Sequence, residues 1–323
     1  MSSTVDIYSE TSGELVNEDT GFLSNVGDNL EFEIDNVYIA KRGGGEDSYL
    51  NGSYFEFDLD RRAMHDEKVI APKPVQEIVQ WCAPDIILVV DEEPVLSVET
   101  TYHELTYNNI AQRIPRQVKP AMEGVPSVIF QKVESYDTDT AYLTWFAETF
   151  RKANQIYDPP CLALMFTEED HDEKADRLAN LCNWAVNSNQ NGSMETVTQT
   201  VEDIASDFDP ESILKTKNGR RRSWIRVDND YVTSIPGPNP DRQGWRTKGT
   251  GNLDPYPGMA KMSEILFAYN EEGEKIRDLR IFFRNLPSDF WWFQENEDEL
   301  YYRLMKEFAD ELYYADQSDQ IDV

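Results

Sequence analysis

Hydrophobic and polar positions alternate in short blocks between residues 72 and 187. Four apolar runs predict strands: DIILVV, PVLSVETT, PSVIFQKV and CLALMF. Amphipathic stretches at 73–82, 107–114, 138–153 and 168–186 predict helices before, between and after them. Short apolar strands flanked by amphipathic helices indicate an α/β fold, with a central mixed sheet covered by helices on both faces.

The two ends of the chain carry weaker patterns, which we interpret as N-terminal and C-terminal additions. The N-terminal part predicts strands in LEFEIDNVYIA and YFEFDL. The C-terminal part predicts a helix at 259–269, a strand in LRIFFRNL and a last helix from Glu297 to Tyr314. The expected organisation is an acidic segment (1–50), a core (51–190), a basic Gly/Pro-rich loop region (191–258) and an α/β closing unit (259–323).

Acids and hydroxyls lie at the open end of a predicted hairpin. If Asp91 to Glu93 form its loop, Asp85 faces Glu99, and Thr101 points to the same side. Two carboxylates this close raise each other's pKa unless a cation neutralises them, and they can share a divalent cation. The carbonyl of Thr100 is a candidate third ligand. The alternative is that Asp85 ends a strand and Glu99 is solvated, because chance carboxylate pairs are common in an acidic chain.

A polar stripe is predicted on the helix that follows this hairpin. Its members are spaced at i, i+3, i+4 and i+7, and they are Asn109, Gln112, Arg113 and Arg116. Amides and arginines suit contact with phosphate. Pro115 is expected to kink the helix, which leaves the place of Arg116 in the stripe open.

The stretch from about residue 70 to 135 resembles the PD-(D/E)XK nuclease superfamily. The resemblance is carried by Pro84-Asp85, Glu99-Thr100-Thr101, a helix with Gln112 and Arg113, the strand VPSVIFQKV, and Glu77 on the preceding helix. It implies a restriction-endonuclease-like fold and metal-dependent hydrolysis of a phosphodiester, with Mg²⁺ or Mn²⁺ as cofactor. It also implies that Asp85 and Glu99 hold the metal and that Glu77 assists.

The chain departs from that family at two points. Thr101 stands where the motif has a lysine, so the resemblance implies that either Lys132, with Lys119 behind it, or Thr101 itself takes the catalytic role of the lysine. His103 is an alternative base. If neither lysine reaches the acids, the site is expected to be slow, to use two metals or to be inactive. The family also places a strand before the Asp85 strand, which here comes from SYFEFDLD or is missing.

The charge of the chain limits the ways in which it can bind nucleic acid. With 61 acidic and 30 basic residues among 323, the net charge is −31, which indicates adaptation to a salty cytoplasm. The global field repels phosphate, so binding requires local basic spots. No apolar run reaches the roughly 20 residues of a membrane span, and the start lacks a signal pattern, so we expect a cytoplasmic, halophilic protein.

One cluster of basic residues makes the chain locally positive, against its negative net charge. Its members are Lys215, Lys217, Arg220, Arg221, Arg222 and Arg226. The cluster favours DNA as the partner, with RNA not distinguished, although these side chains could instead pair with surplus acids.

Three functions are weighed for the chain. The leading one is a Mg²⁺-dependent DNA endonuclease of a restriction or defence system, as a possible homodimer. The second is a non-catalytic nucleic-acid-binding or assembly module, and the third is a protein-interaction domain.

Overall fold

A computed structural model describes residues 4–10, 12–40, 57–58, 71–79, 81, 84–102, 107–133, 140–158, 160–187, 225–234, 255–283 and 300–314. His103 and the basic residues from Lys215 to Arg222 lie outside these ranges. No helix in the described ranges is both long and apolar enough to cross a membrane.

The strands and helices begin and end as follows. The first part of the chain forms β1 (Val5–Ser9), α1 (Ser12–Val16), α2 (Phe22–Val26), a 3₁₀ turn (Gly27–Asn29), β2 (Asn36–Ala40), β3 (Phe57–Asp58), α3 (Lys73–Val79), β4 (Ile86–Val90), β5 (Glu93–Thr101), α4 (Tyr107–Met122), β6 (Ser127–Lys132), α5 (Thr140–Ile156), β7 (Cys161–Phe166) and α6 (His171–Val186). The remainder forms β8 (Ile225–Val227), β9 (Tyr231–Ser234), α7 (Pro255–Ala268), β10 (Asp278–Phe283), α8 (Leu300–Phe308) and β11 (Glu311–Tyr314).

The chain groups into two compact units. The first comprises residues 1–105, 116–140 and 157–208, and the second comprises residues 106–115, 141–156 and 209–323. Helix α4 therefore contributes its first half to the second unit and its second half to the first.

The first unit contains a mixed sheet in the order β3-β2-β1-β4-β5-β6-β7, with β3 adding only two residues. Strands β1, β4 and β5 are antiparallel neighbours, whereas β6 and β7 run parallel to β5. The α/β class and the mixed sheet flanked by helices are thus confirmed. The strand beside β4 is Val5–Ser9, which the sequence analysis missed, and Phe57–Asp58 lies at the far edge, so SYFEFDLD does not supply that neighbour.

Helices pack on both faces of this sheet. Helix α3 buries Val75 and Ile78 in a cluster with Ile87 and Val89 of β4. On the opposite face, α6 buries apolar side chains along one side and packs against α2. Asn183 of α6 accepts from the Glu31 N–H at 2.8 Å and donates to the Asn29 carbonyl at 3.0 Å, which fixes the loop after α2.

A row of small side chains lets α4 lie close to the sheet. Ser97, Ser127 and Cys161 are aligned across β5, β6 and β7. The Ser127 hydroxyl donates to the backbone carbonyl of Gln117 at 2.7 Å, and the Cys161 thiol contacts the same oxygen at 3.5 Å. Burial of Cys161 raises its thiol pKa to about 12, so it remains a neutral packing group. Cys161 and Cys182 are both buried free thiols.

The second unit contains a sheet in the order β11-β10-β9-β8. The last helix ends at Phe308, and Glu311–Tyr314 form a strand parallel to β10, so the prediction of a helix to Tyr314 was wrong. The break occurs at Asp310, whose carboxylate accepts from the Leu279 N–H at 2.8 Å and binds Lys275 at 2.7 Å.

Gly258 of α7 permits a close approach to α4. Pro115 has no N–H, so the Ala111 carbonyl loses its usual partner within the helix. A Cβ on Gly258 would lie 1.5 Å from that carbonyl oxygen. Only a residue without a side chain fits at this contact.

Gly258→Ala is expected to lower the free energy of unfolding by about 1 to 3 kcal/mol, because the backbone must shift to admit the methyl group. Denaturant unfolding measures the change. Gly27→Ala is the matched control: its Cβ would meet nothing closer than 3.8 Å, and its φ of −58° is helical. Equal effects of the two substitutions would contradict the close approach.

Asp91 and Glu92 form a tight turn between β4 and β5. Their φ angles are 51° and 70°, a left-handed conformation that suits glycine better than glutamate. Asp91 is anchored there, because its N–H donates to the Thr4 carbonyl at 3.0 Å and its carboxylate accepts from the Thr4 N–H at 2.9 Å.

Glu92→Gly is expected to stabilise the protein by about 0.5 to 1 kcal/mol, because it relieves this left-handed strain. Glu93→Gly, one residue later in the extended strand, is expected to destabilise it by a similar amount. The two glycine variants are compared by thermal unfolding at the same salt concentration. If both glycine variants shift the melting temperature in the same direction, backbone strain at Glu92 is not the cause of the shift.

Candidate metal centre

The register of the β4–β5 hairpin brings Asp85 to Glu99. Ile86 pairs with Val98, so the next residues outward are Asp85 and Glu99. The loop differs from the predicted three residues: Val90 pairs with Glu93 across a two-residue turn, and a bulge follows between Leu88 and Val89. The bulge adds one residue to β5 and restores the predicted pairing at the open end.

Hydrogen bonds fix both carboxylates in a buried position. Asp85 and Glu99 are 3% and 0% exposed. The Thr100 N–H and hydroxyl donate to Asp85 Oδ2 at 2.7 and 3.0 Å, and the Asp85 N–H donates to Glu99 Oε2 at 3.3 Å. Thr100 therefore contacts Asp85 as a hydrogen-bond donor, whereas the sequence analysis offered its carbonyl as a metal ligand.

Two further carboxylates join this pair from the N-terminal region. Glu10 directly follows β1, and its N–H donates to the Asp85 carbonyl at 3.1 Å. Ligand oxygens of Glu10, Glu14 and Asp85 all lie within 4.8 Å of one another. The sequence analysis missed both glutamates because it did not recognise β1. The short alternation VDIYS before Glu10 was the available signal.

Arg116 reaches into the acid cluster, which we define as Glu10, Glu14, Asp85 and Glu99. Its Nη1 lies 3.0 and 3.2 Å from the two carboxylate oxygens of Glu99. The same nitrogen lies 3.4 Å from Glu10 and 3.5 Å from Asp85. Helix α4 continues through Pro115, so Arg116 keeps its helical position on the side facing the sheet.

The electrostatics of the acid cluster favour an added cation. Burial raises the pKa of Asp85 well above its usual range, and repulsion from Glu99 and Glu14 raises it further. Arg116 and the Thr100 N–H act in the opposite direction without cancelling this shift. Closely spaced carboxylate oxygens are the ligands that hard divalent cations prefer. Glu10, Glu14 and Asp85 can therefore hold a metal ion, with Glu99 adjacent to them.

The structure places Thr101 beside the cluster and the candidate lysines elsewhere. Thr101 is buried on the same face as Glu99, and its carbonyl accepts from the buried Gln131 side chain at 3.4 Å. Thr101 pairs with Gln131, so Lys132 points to the opposite face. The Lys132 ammonium binds Glu168 at 2.7 Å.

Lys119 and Glu77 are also engaged with other partners. Lys119 pairs with Glu123 and lies 4.8 Å from the centre of the Trp81 ring. Glu77, proposed as an assisting acid, is 42% exposed at its side chain and pairs with Lys73 at 3.3 Å. The structure therefore brings together Asp85, Glu99, Thr100, Thr101 and Arg116 from the predicted set, and it pairs Lys132, Lys119 and Glu77 with other side chains.

The remaining predicted nucleic-acid contacts are placed only in part. Asn109, Gln112 and Arg113 lie on α4, where Gln112 and Arg113 are partly exposed. Arg226 lies in β8, opposite Thr233. The other members of the basic cluster, from Lys215 to Arg222, fall outside the described residues.

Asp85→Asn tests the electrostatic strain in the cluster. Asparagine retains an acceptor oxygen for Thr100 but removes the charge. Because the folded-state pKa is raised, the contribution of Asp85 to stability is present below its ordinary value of 3.8 and is lost as pH rises through the folded value. In metal-free buffer the variant is therefore expected to melt above the wild type near pH 7.

Thermal unfolding in a chelating buffer across this pH range measures the effect. Asp19→Asn, at an exposed position, controls for the removal of one charge from an acidic chain. The Asp85 variant is expected to lose less stability with rising pH than either the wild type or the control. A melting temperature below the wild type at every pH would contradict the raised pKa.

Comparisons with known proteins identify no relative of this chain. No protein-family model matches it, no curated protein matches it, and no solved structure matches it.

Proposed function

We propose that the chain is a Mg²⁺- or Mn²⁺-dependent DNA endonuclease of the PD-(D/E)XK type. The observation that carries the proposal is the buried pairing of Asp85 with Glu99 at the open end of the β4–β5 hairpin, with Glu10 and Glu14 beside them. Asp85 and Glu99 are the two residues to which the resemblance to that superfamily assigns metal binding.

The strand arrangement supports the restriction-endonuclease-like part of the proposal. The Asp85 strand β4 lies between β1 and β5 in an antiparallel group, so the strand expected beside it is supplied by Val5–Ser9. Helix α4 then connects β5 to the parallel strand β6, in the order that the resemblance calls for.

The mechanism assigns distinct tasks to the residues of the cluster. Asp85 and Glu99 would bind the metal ion, with Glu10 and Glu14 as further ligands. Bound Mg²⁺ supplies Lewis acidity, which activates water near neutral pH and offsets charge on the phosphate oxygens. Thr100 orients Asp85 through its two hydrogen bonds.

Neither of the two candidate lysines, Lys132 and Lys119, completes this site in the way that the motif expects. Lys132 and Lys119 bind Glu168 and Glu123 instead of the acid cluster. Arg116 does contact the acids, but a guanidinium does not accept a proton at physiological pH. The carboxylates of the acid cluster would then have to accept the proton of the attacking water, and we expect a slow enzyme.

Glu99→Gln is expected to reduce metal-dependent DNA cleavage by about a hundredfold or more, because even residues that only support metal ligands change activity by about 10- to 100-fold. Cleavage of plasmid and linear DNA is measured in molar KCl with millimolar Mg²⁺ or Mn²⁺, since high salt screens the acidic surface. Lys132→Ala is the matched control and is expected to leave cleavage unchanged.

Two results would count against this assignment. Cleavage that survives in Glu99→Gln would point to a contaminant or to a different site. A large loss in Lys132→Ala would show that this lysine takes part despite its place on the opposite face of the sheet.

A non-catalytic nucleic-acid-binding module is the second candidate. It is favoured by the pairing of Lys132 and Lys119 with acids outside the cluster. This candidate predicts DNA binding that weakens when Arg220, Arg221 and Arg222 are neutralised, with no cleavage in any metal. Unchanged DNA binding in that triple variant would favour a protein-interaction domain instead.

A further inference from the structure

Arg116 contacts carboxylate oxygens that a bound metal ion would also use. One nitrogen, Nη1, is within 3.5 Å of oxygens from Glu10, Asp85 and Glu99. A divalent cation bound to two of these oxygens would sit about 2.0 to 2.6 Å from each. The nitrogen and the metal ion would then compete for the same oxygens, so they cannot both occupy this position.

The carboxylates have other contacts that remain when Arg116 leaves. Asp85 keeps both hydrogen bonds from Thr100, and Glu99 keeps the one from the Asp85 N–H. The strand register that aligns them does not depend on the guanidinium. Loss of Arg116 therefore removes a competing cation and leaves the ligand geometry in place.

The Arg116 side chain is more exposed than the carboxylates that it contacts. Its side chain is 26% exposed, whereas those of its carboxylate partners are at most 7% exposed. Part of the Arg116 side chain is therefore in contact with solvent, from which a substrate phosphate would approach the acids. A planar guanidinium binds phosphate oxygens in the same forked manner as it binds carboxylates.

We propose that Arg116 is the counterion of the acid cluster in the metal-free protein and transfers to the substrate phosphate when a divalent cation binds. This inference rests on the proposed metal-dependent nuclease function and adds a positioning residue to it. In the metal-free state, Arg116 offsets carboxylate repulsion. In the metal-bound state, its charge is released for the negatively charged substrate.

Arg116→Gln tests the competition directly through Mn²⁺ binding, which is measured by calorimetry or by the loss of the free-ion magnetic resonance signal. The variant is expected to bind Mn²⁺ about tenfold more tightly, because charge-assisted hydrogen bonds no longer have to be broken. The metal-free variant is expected to melt below the wild type, and Mn²⁺ to raise its melting temperature by a larger amount.

Two further variants control for charge and for folding. Arg177→Gln removes a guanidinium from an exposed pair with Glu173 on α6 and is expected to leave Mn²⁺ affinity unchanged. Arg116→Lys retains the charge but lacks the planar guanidinium, so its Mn²⁺ affinity is expected to lie between those of the wild type and Arg116→Gln. If Arg116→Gln folds only with Mn²⁺ present, that dependence supports the role as counterion.

Binding of a fluorescent DNA duplex tests the proposed contact between Arg116 and the substrate phosphate. In Ca²⁺, which also takes oxygen ligands, Arg116→Gln is expected to bind the duplex about tenfold more weakly than the wild type. In chelator the two proteins are expected to bind equally, because Arg116 then remains on the acids. If Arg116→Gln weakens duplex binding equally in Ca²⁺ and in chelator, the proposed transfer of Arg116 to the substrate phosphate is wrong.

The outcomes distinguish this inference from the proposed function. One outcome is that the wild type binds Mn²⁺, Glu99→Gln does not, and Arg116→Gln binds Mn²⁺ no more tightly than the wild type. The role proposed for Arg116 is then wrong, whereas the metal site is retained. If neither the wild type nor Arg116→Gln binds Mn²⁺, both the metal site and the role of Arg116 are overturned.

Discussion

Repulsion among buried carboxylates is the constraint around which the candidate site is built. Asp85 and Glu99 are held together by strand register, and Glu10 and Glu14 are brought to them from a different part of the chain. Burial makes each negative charge costly, and proximity adds repulsion. Such an arrangement requires a counter-cation or bound protons, and Arg116 supplies one positive charge without restoring the ordinary pKa of Asp85.

The β4–β5 hairpin that holds Asp85 and Glu99 departs from regular strand geometry at its turn and at its bulge. A two-residue turn with two left-handed residues would shift the hairpin by one position, and the bulge next to Leu88 corrects that shift. A one-residue slip would send Glu99 to the opposite face, away from Asp85. The bonds between Asp91 and Thr4 tie the same turn to β1, whose far end carries Glu10. Turn, bulge and N-terminal strand thus position the acids together.

Much of the first unit follows from hydrophobic periodicity, because its strands are short apolar runs between amphipathic helices. Strand β1 was not predicted because VDIYS is brief and lies in an acidic region. Glu10 and Glu14, which follow this strand, were missed for the same reason. The C-terminal helix was predicted too long because apolar residues recur at i+4 steps as far as Leu312, namely Leu300, Leu304, Phe308 and Leu312. Asp310 interrupts the helix through contacts with Leu279 and Lys275, which are distant in sequence.

The site could be predicted only as far as local pairing determines it. A hairpin places its own residues opposite each other, so Asp85 and Glu99 were accessible from the sequence. The parallel pairing of β5 with β6 is not set by a turn, and it decides that Gln131, not Lys132, faces the acids. Likewise, the direction of Arg116 toward the carboxylates depends on how α4 packs over the row of small residues.

The most direct test of the metal centre is a crystal structure of the protein with Mn²⁺, solved with data that record its anomalous scattering. The account predicts a Mn²⁺ peak about 2.0 to 2.6 Å from oxygens of Asp85 and Glu99, with the Arg116 guanidinium withdrawn from them. A cluster without such a peak at saturating Mn²⁺, with Arg116 still bound to Glu99, would contradict it.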